Sequence, residues 1–417
     1  MKRLIIISFA ACLLAGCGIY KPYSRPEVTT DSLYRDDRDM QTEEDTLSLA
    51  ALSWRELFRD EQLQRLIEQG LRQNTDLRVA RLRVEEAEAV LMNTRLSYLP
   101  SVSLNPEGTA GRYEGTTIRT YDLKTSASWE IDIFGKVTNA RRGAKAALEG
   151  SRAYEQAVQT QLVATIATGY YTLLMLDKQL NINNSTLESW ERTVETLEAL
   201  KRAGKSDDAA VLQAKANRMT LEAAVLSVRK SIRDTENSLS ALLAMVPQRI
   251  RRGTLDGQEF PEELAVGVPV QLLANRPDVR QAELNLAQAF YATNAARTAF
   301  YPGVTLSGAA GWTNNGGGVI LNPGSWLLSA VGSLTQPLFN KGTNIANLKV
   351  AKARREEAAL LFQQSVLNAG KEVNDALVQC QTAQARIKIG IRQIDTLQEA
   401  VHKTKLLMRH SSTNYLE

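Results

Sequence analysis

Histidine and cysteine are nearly missing from the 417-residue chain, with two of the first and three of the second. His402 and His410 stand eight residues apart in one helical pattern. That is about 12 Å along a helix axis, too far to share a metal within one chain. Neither a Cys/His zinc spacing nor a G-x-S-x-G elbow occurs, so no metal, cofactor or catalytic set is expected. "NNGGGVILNPGS", Asn314 to Ser325, is glycine-rich. It falls between two strand-like segments and not at a strand-to-helix turn, which excludes a phosphate loop and suits a strand-to-strand connection. Charge of one sign is also lacking: 50 Lys and Arg face 46 Asp and Glu, and losing Lys2 and Arg3 takes the formal charge from +4 to +2. That balance excludes a nucleic-acid binder. After Leu14 no apolar run reaches the roughly 18 residues that a membrane-spanning helix needs.

What is present begins with "MKRLIIISFAACLLAGC", a basic start, an apolar run from Leu4 to Leu14, and then Leu14-Ala15-Gly16-Cys17. This reads as a signal peptide, residues 1–16. Its end resembles the lipobox of bacterial lipoproteins, in which the cysteine is acylated and becomes the first mature residue. Gly18 follows where an aspartate would resemble an inner-membrane retention signal, so the resemblance favours the outer membrane. With Cys17 lipidated only Cys380 remains, which leaves no intramolecular disulfide. Residues 17–53, polar and proline-containing and then acidic, read as a lipid-anchored tether.

One unit occurs twice. "LLANRPDVRQAELNLAQAFYATNAARTAFYPGVTLSG", Leu272 to Gly308, matches "LRQNTDLRVARLRVEEAEAVLMNTRLSYLPSVSLNP", Leu71 to Pro106. A shift of 202 positions sets Asp76 on Asp278, Ala80 on Ala282, Arg95 on Arg297, Pro100 on Pro302 and Leu104 on Leu306. Each copy is a helical pattern, a proline and a strand. The strand signal is strongest in "YDLKTSASWEIDIF". There Tyr121, Leu123, Thr125, Ala127, Trp129 and Ile131 alternate with Asp122, Lys124, Ser126, Ser128, Glu130 and Asp132. Period two with one apolar and one wet face is a half-buried strand. "SWLLSAVGSLTQPLF" sets Trp326, Leu328, Ala330 and Leu334 against Leu327, Ser329, Val331, Ser333 and Thr335. Tyr121, Trp129, Trp312 and Trp326 sit near strand ends, as in the girdles of outer-membrane barrels. Read alone, the segment suits a sandwich strand equally well.

Long helices follow each strand pair. Ile166, Gly169, Leu173, Leu176, Leu180, Leu187, Trp190, Val194 and Leu197 step by four and three, with a break expected at "NINNST". After "RAGKSDD" the stripe resumes as Leu221, Val225, Val228, Ile232, Leu239, Leu242 and Val246. In the second half it runs from Val366 through Val373, Cys380, Ile387, Ile394 and Leu397 to Val401. Such spacing means coiled-coil packing, and a 60-residue helix is about 90 Å long. Prolines 100, 302 and 337 mark helix–strand junctions. Four strands per chain leave edges that lipid does not tolerate, so closure takes several chains. Two copies would supply eight strands and three would supply twelve; the residues do not choose.

With these features together, the chain resembles the outer-membrane factor family, the TolC-like channels, and within it the NodT-type efflux lipoproteins. The stretches that carry the resemblance are "WRELFRDEQLQRLI" from Trp54, "NTDLRVA" from Asn74, "WEIDIFGK" from Trp129, "NRPDVRQAE" from Asn275, "YPGVTLSG" from Tyr301 and "LTQPLFNKG" from Leu334. The resemblance implies a fold that is mainly α with a β part. Long antiparallel coiled-coil helices form an α-barrel, and four strands per protomer join a shared trimeric, twelve-stranded transmembrane β-barrel. Two repeats are expected. The first is 54–250, with strands near 101–112 and 120–133; the second is 275–417, with strands near 303–313 and 325–338. A linker with a short helix, 251–274, separates them. By this comparison some 35 to 40 residues of a final helix beyond "RHSSTNYLE" are expected to be absent.

The same resemblance implies the partners and the site: a homotrimer in outer-membrane lipid, a periplasmic adaptor and an inner-membrane pump of the resistance-nodulation-division type. The turn Ala203, Gly204, Lys205 and Ser206 becomes the adaptor-docking tip, and Asp207, Asp208 and Glu417 become candidates for the periplasmic gate. Aspartate at a helix start is also an ordinary cap. Glu130 and Asp132, on the wet side of their strand, are candidate lumen charges. The implied function is a passive exit duct for small molecules. The alternatives are a type I protein-secretion channel and a periplasmic coiled-coil scaffold lipoprotein. Seven scattered methionines lend no support to metal export. Cys17→Ser should abolish labelling by radioactive palmitate without necessarily abolishing assembly; label that persists in the variant defeats the lipobox reading.

Overall fold

The computed structural model describes residues 22–26, 53–113, 115–258, 276–313 and 325–409. Cys17 with the signal peptide, the rest of the tether, 259–275 of the linker region, 314–324 and 410–417 with His410 and Glu417 lie outside the described residues. The helices α1 (Trp54–Leu57), α2 (Glu61–Gln73) and α3 (Thr75–Leu96) lead into β1 (Ser101–Tyr113) and β2 (Thr116–Ile131). Then come α4 (Lys136–Arg202), α5 (Asp208–Leu242), α6 (Pro277–Thr298), β3 (Gly303–Thr313), β4 (Ser325–Thr335) and α7 (Thr343–Arg409). The chain is mainly helical, with one four-stranded antiparallel sheet in the order β1-β2-β3-β4. The order helix, two strands, long helix therefore occurs twice.

Local polar groups set several boundaries that hydrophobic period alone misplaces. The stretch from Trp54 to Leu96 makes three helices, not one continuous pattern. Asp60 caps α2 by accepting from Gln62 N and Leu63 N at 2.7 and 3.2 Å. Asn74 accepts from Leu77 N at 2.9 Å at the head of α3 and donates to Leu242 O at 2.9 Å. The break expected at Asn181–Thr186 does not occur, because α4 runs through it unbroken. Thr186 turns its hydroxyl back onto Ile182 O, so a turn-favouring residue is accommodated by a bond to its own helix. The return helix ends at Leu242 and not near Val246. Ala244 takes φ 54°, and Val246 lies beyond the helix, 78% exposed.

Two compact units divide the chain. One comprises Met1–Thr29, Ala80–Glu155 and Ala274–Val366, the other Thr30–Val79, Gln156–Leu273 and Leu367–Glu417. In the second unit, Ile166, Tyr170 and Leu174 of α4 bury against Leu63 and Ile67 of α2, with Leu77 and Leu243 closing the cluster. Further along, Leu173 and Leu176 meet Val228, Ile232 and Leu239, and Val194 and Leu197 meet Ala210, Val211 and Ala214. Gly169 belongs in this stripe because a Cβ there would lie 2.8 Å from Leu239 Cδ2. Leu239 can sit over the α4 backbone only while that position has no side chain.

A buried cation fastens the same unit. The Arg252 guanidinium, 8% exposed, reaches Asp177 Oδ2 at 2.5 Å and Oδ1 at 2.9 Å, and Glu236 Oε1 at 2.5 Å. Asp177 is on α4 and Glu236 on α5, so one side chain ties both helices to the segment that follows them. Beside it, Tyr170 Oη donates to Asp60 Oδ2 at 2.7 Å and accepts from Gly253 N at 2.9 Å, while Gln258 Nε2 donates to Asp60 at 2.8 Å. Burial pushes the Asp60 carboxyl up, but the hydrogen bonds from Gln258, Tyr170 and the Leu63 and Gln62 amides outweigh it. Its pKa lies below the usual aspartate value.

The first unit holds the sheet and the segment 22–26. Tyr23 packs edge-on against Phe290 with ring centroids 5.7 Å apart. Arg25 pairs with Glu283 at 3.5 Å and lies over the Phe362 ring at 5.6 Å. Burial first, and then the Glu283 charge, raise the Tyr23 phenol to about 12.

Arg252→Met should cost about 3–5 kcal/mol in denaturant unfolding, since it strands two carboxylates, one of them buried. Arg55→Met, which breaks the exposed pair with Glu68, should cost about 0–1 kcal/mol. Equal losses from the two would show that the buried ion pair fastens nothing.

Candidate functional site

Partners in an antiparallel ladder share a face. The register therefore sorts every strand residue. Trp129 pairs with Leu306, Leu123 with Trp312, Trp312 with Trp326 and Ala310 with Leu328. Leu104 pairs with Thr125 and Val102 with Ala127. One face thus carries Val102, Leu104, Leu123, Trp129, Ile131, Val304, Leu306, Trp312, Trp326, Leu328 and Leu334. Among the described residues nothing covers the outer part of it: Leu328 is 84% exposed, Trp326 73% and Leu334 70%. Trp312 and Trp326 lie against each other at 4.8 Å. The sheet's edges, β1 and β4, have no strand partner among the described residues. Within one chain Pro106 is tolerated in β1 because that strand has a partner on one side only.

The opposite face is wet. Ser103 and Ser126 exchange a hydrogen bond at 2.8 Å, and Asn105 Nδ2 donates to Ser126 Oγ at 2.7 Å. Lys124 lies 3.8 Å from both Glu107 and Asp122. Glu130 is on this face and accepts from Lys136 Nζ at 2.8 and 3.0 Å. Asp132 is not: β2 ends at Ile131, and Asp132 turns to cap α4. Its carboxylate accepts from Val137 N at 2.9 Å, Thr138 N at 2.7 Å and Thr138 Oγ1 at 2.6 Å. The alternation that placed it on the wet face stops one residue earlier, because the carboxylate has free amides to satisfy at the helix start. Thr138 Oγ1 also meets Tyr98 Oη at 2.9 Å, and Trp129 Nε1 donates to Tyr98 O at 2.9 Å. Strand end and helix start are pinned together.

Two charges on the apolar face escaped the sequence reading. Arg119 pairs with Ala110 and Arg112 with Thr117, which places both guanidinium side chains at the hairpin end of the apolar face. An alternation that begins near residue 120 leaves Arg119 outside the strand, whereas β2 begins at Thr116. Ladder register was the missing signal.

The helical turn is the second part of the site. Ala203, Gly204, Lys205 and Ser206 connect α4 to α5, with Gly204 at φ 70° and Lys205 N donating to Leu200 O at 2.9 Å. Glycine there terminates a helix without Cβ strain. Asp207 caps α5, accepting from Ala210 N at 2.8 Å. Asp208 pairs with Lys201 Nζ at 2.6 Å across the turn. Neither carboxylate is a bare charge. Glu417 lies outside the described residues.

A family model described as outer membrane efflux protein matches residues 66–245 and 268–417. The cation efflux system protein CusC of Escherichia coli K12 is 28% identical over 98% of this chain and 90% of its own length. The probable outer membrane lipoprotein SilC of Salmonella typhimurium is 28% identical over 100% of this chain and 92% of its own. Among solved structures, the open state of the Neisseria gonorrhoeae MtrE outer membrane channel superposes with a TM-score of 0.83 at 28% identity, over 94% of this chain and 89% of that one. The outer-membrane channel OprN gives 0.87 at 26% identity, over 96% and 91%.

Asp207→Ala should lower stability by about 0.5–2 kcal/mol, and Asp207→Asn should recover most of it, since asparagine still caps. Asp208→Asn, which breaks only an exposed ion pair, should cost no more than about 1 kcal/mol. Thermal unfolding of the three variants checks the assignment; an asparagine at 207 as harmful as alanine would contradict the cap.

Proposed function

The chain belongs to the outer membrane efflux protein family, and on that premise we propose that three copies of it close one passive duct through the outer membrane. It is an outer-membrane efflux channel protein of the kind that serves tripartite pumps. The observation that carries the trimer reading is the sheet, with one continuous apolar face, one wet face and two open edges. Lipid accepts only a closed ladder. If β4 of one copy pairs with β1 of the next, three copies give a barrel with Leu328 and its neighbours toward lipid and Ser126, Lys124 and Glu130 toward water. The exposed stripe on α7 supports the same reading. Ile387, Ile394, Leu397 and Val401 are all more than half exposed within the chain, and neighbouring helices of further copies would cover them.

In this proposal the two repeats, 54–250 and 275–417, are the two staves that each copy adds to the wall. Cys17 is acylated and tethers the chain to the inner leaflet of the outer membrane. The turn 203–206 meets a periplasmic adaptor, which links the duct to an inner-membrane pump of the resistance-nodulation-division type. That pump supplies the energy, and the duct takes no chemical step. Asp208 is the better gate candidate of the two aspartates, because the Asp207 carboxylate is committed to its cap. CusC is named for cations, whereas the toluene efflux pump outer membrane protein TtgI of Pseudomonas putida, 26% identical over 90% of this chain and 83% of its own length, is named for a solvent. We propose small-molecule efflux without assigning the cargo.

Depth on β2 makes the barrel testable. Thr125 lies midway between Trp129 and Tyr121, and Leu328 shares its cross-strand row through Ala310. Leu328→Arg should therefore cost roughly 2–4 kcal/mol, the value for a lipid-facing arginine near the bilayer midplane. Ser329→Arg, on the wet face, should mainly change single-channel conductance. Equal destabilisation by both substitutions in reconstituted protein would point to a buried sandwich strand and sink the duct.

A further inference from the structure

Charge is distributed very unevenly between the two faces of the sheet. By register, the strand carboxylates Glu107, Asp122 and Glu130 and the one strand lysine, Lys124, are all on the wet face. The apolar face carries only two charged residues along all four strands, Arg112 and Arg119, and both are cations. They are diagonal neighbours, because Arg112 lies opposite Thr117 and Arg119 opposite Ala110. Both are exposed, and neither has an ion-pair partner among the described residues. A solvated surface would mix signs. A face that excludes every other charge but keeps two adjacent arginines is matched to something anionic.

Their level on the strand says where that anion is. Tyr121 is eight residues from Trp129 on the same face of β2, and Arg119 is ten. At about 3.4 Å per residue and a tilt of 35–45°, Tyr121 stands roughly 19–22 Å above Trp129 and Arg119 roughly 24–28 Å above it. The apolar band of such barrels is about 25 Å tall. The two aromatics thus mark its edges, and the arginines fall one step beyond, where lipid phosphates begin. A guanidinium suits phosphate through paired N–H donors, and a long arginine stem can reach outward from an apolar wall.

Resting on the barrel reading above, we propose that Arg112 and Arg119 form a binding site for the phosphate of an anionic lipid headgroup, on the lipid-facing side of the duct at its hairpin end. A neighbouring copy does not supply the counter-charge from its second hairpin turn, since residues 314–324 contain no Asp or Glu. The first turn holds a single carboxylate, Glu114, outside the described residues. One carboxylate against two guanidiniums still leaves a cation for phosphate.

Trp312 and Trp326, on the same face, provide the readout. The full chain is reconstituted in phosphatidylcholine vesicles that contain brominated phosphatidylglycerol or brominated phosphatidylcholine, and tryptophan quenching is compared. The native protein should prefer the anionic lipid several-fold. Arg112→Gln/Arg119→Gln should bring the preference to about one, while Arg112→Lys/Arg119→Lys should keep part of it. If neither brominated lipid quenches, the face does not meet lipid and the barrel itself fails. If both quench native protein equally, or the glutamine variant keeps the full preference, the barrel stands and the phosphate site falls. Abolition of the preference by matched inorganic phosphate would reassign the pair to a soluble anion and overturn the lipid assignment.

Discussion

The open sheet is a constraint that neither solvent satisfies for one copy. In water, the face from Val102 to Leu334 leaves leucine and tryptophan exposed. In lipid, the free N–H and C=O groups along β1 and β4 would each cost several kcal/mol. Burying the face in lipid and the edges against further copies removes both penalties together, and either remedy alone leaves the other in place. Once edges must meet between copies, the helices have to leave the sheet at one end only. The register enforces this. Ser101 lies opposite Ser128, Ile131 opposite Val304 and Gly303 opposite Thr335, so all four helix junctions fall on one rim.

That rim is where stiffness is needed, because each strand must become a helix without letting the ladder fray. The first junction achieves it with charge and capping: Asp132 holds two amides of α4, Lys136 holds Glu130, and Gly135 takes φ 75° to turn the chain. The second junction has no such aspartate. β4 ends at Thr335, two residues before Pro337, Gly342 turns at φ 77°, and Gln336 and Asn344 donate to Phe300 O and Ala299 O at 3.2 and 2.9 Å. Two equivalent positions thus use different side chains for one requirement, to satisfy the orphan groups where one backbone pattern gives way to another.

Much of this was legible in the sequence because it is periodic. Alternation from Tyr121 to Ile131 and the four-three stripe from Ile166 to Leu197 each repeat a single decision many times, so a misplaced residue does little harm. The failures lie where a single polar contact decides. Asp132 continued the alternation on paper but belongs to a helix cap. The cluster at Asn181–Thr186 looked like a turn, yet Thr186 bonds back to its own helix. The Arg252–Asp177–Glu236 contact joins residues far apart in sequence, and no local pattern could announce it. Arg112 and Arg119 needed the ladder register, since two arginines separated by a turn have no visible relation until β1 and β2 are aligned.

The wet face bears on what a passive duct can carry. Its residues are mostly hydroxyls and amides, such as Ser103, Asn105, Ser126, Ser128, Ser307 and Ser333, and several of them already bond to one another or to the ladder. The charges among them are spent locally, Lys124 beside Glu107 and Asp122, and Glu130 on Lys136. Conduction requires that a solute leave as readily as it enters, which many weak sites allow and one strong site prevents. A lining of many small polar groups, several of them bonded to one another, holds water without holding cargo. Selection among solutes then has to come from elsewhere, and in the duct proposed above that place is the end at which partners would load it.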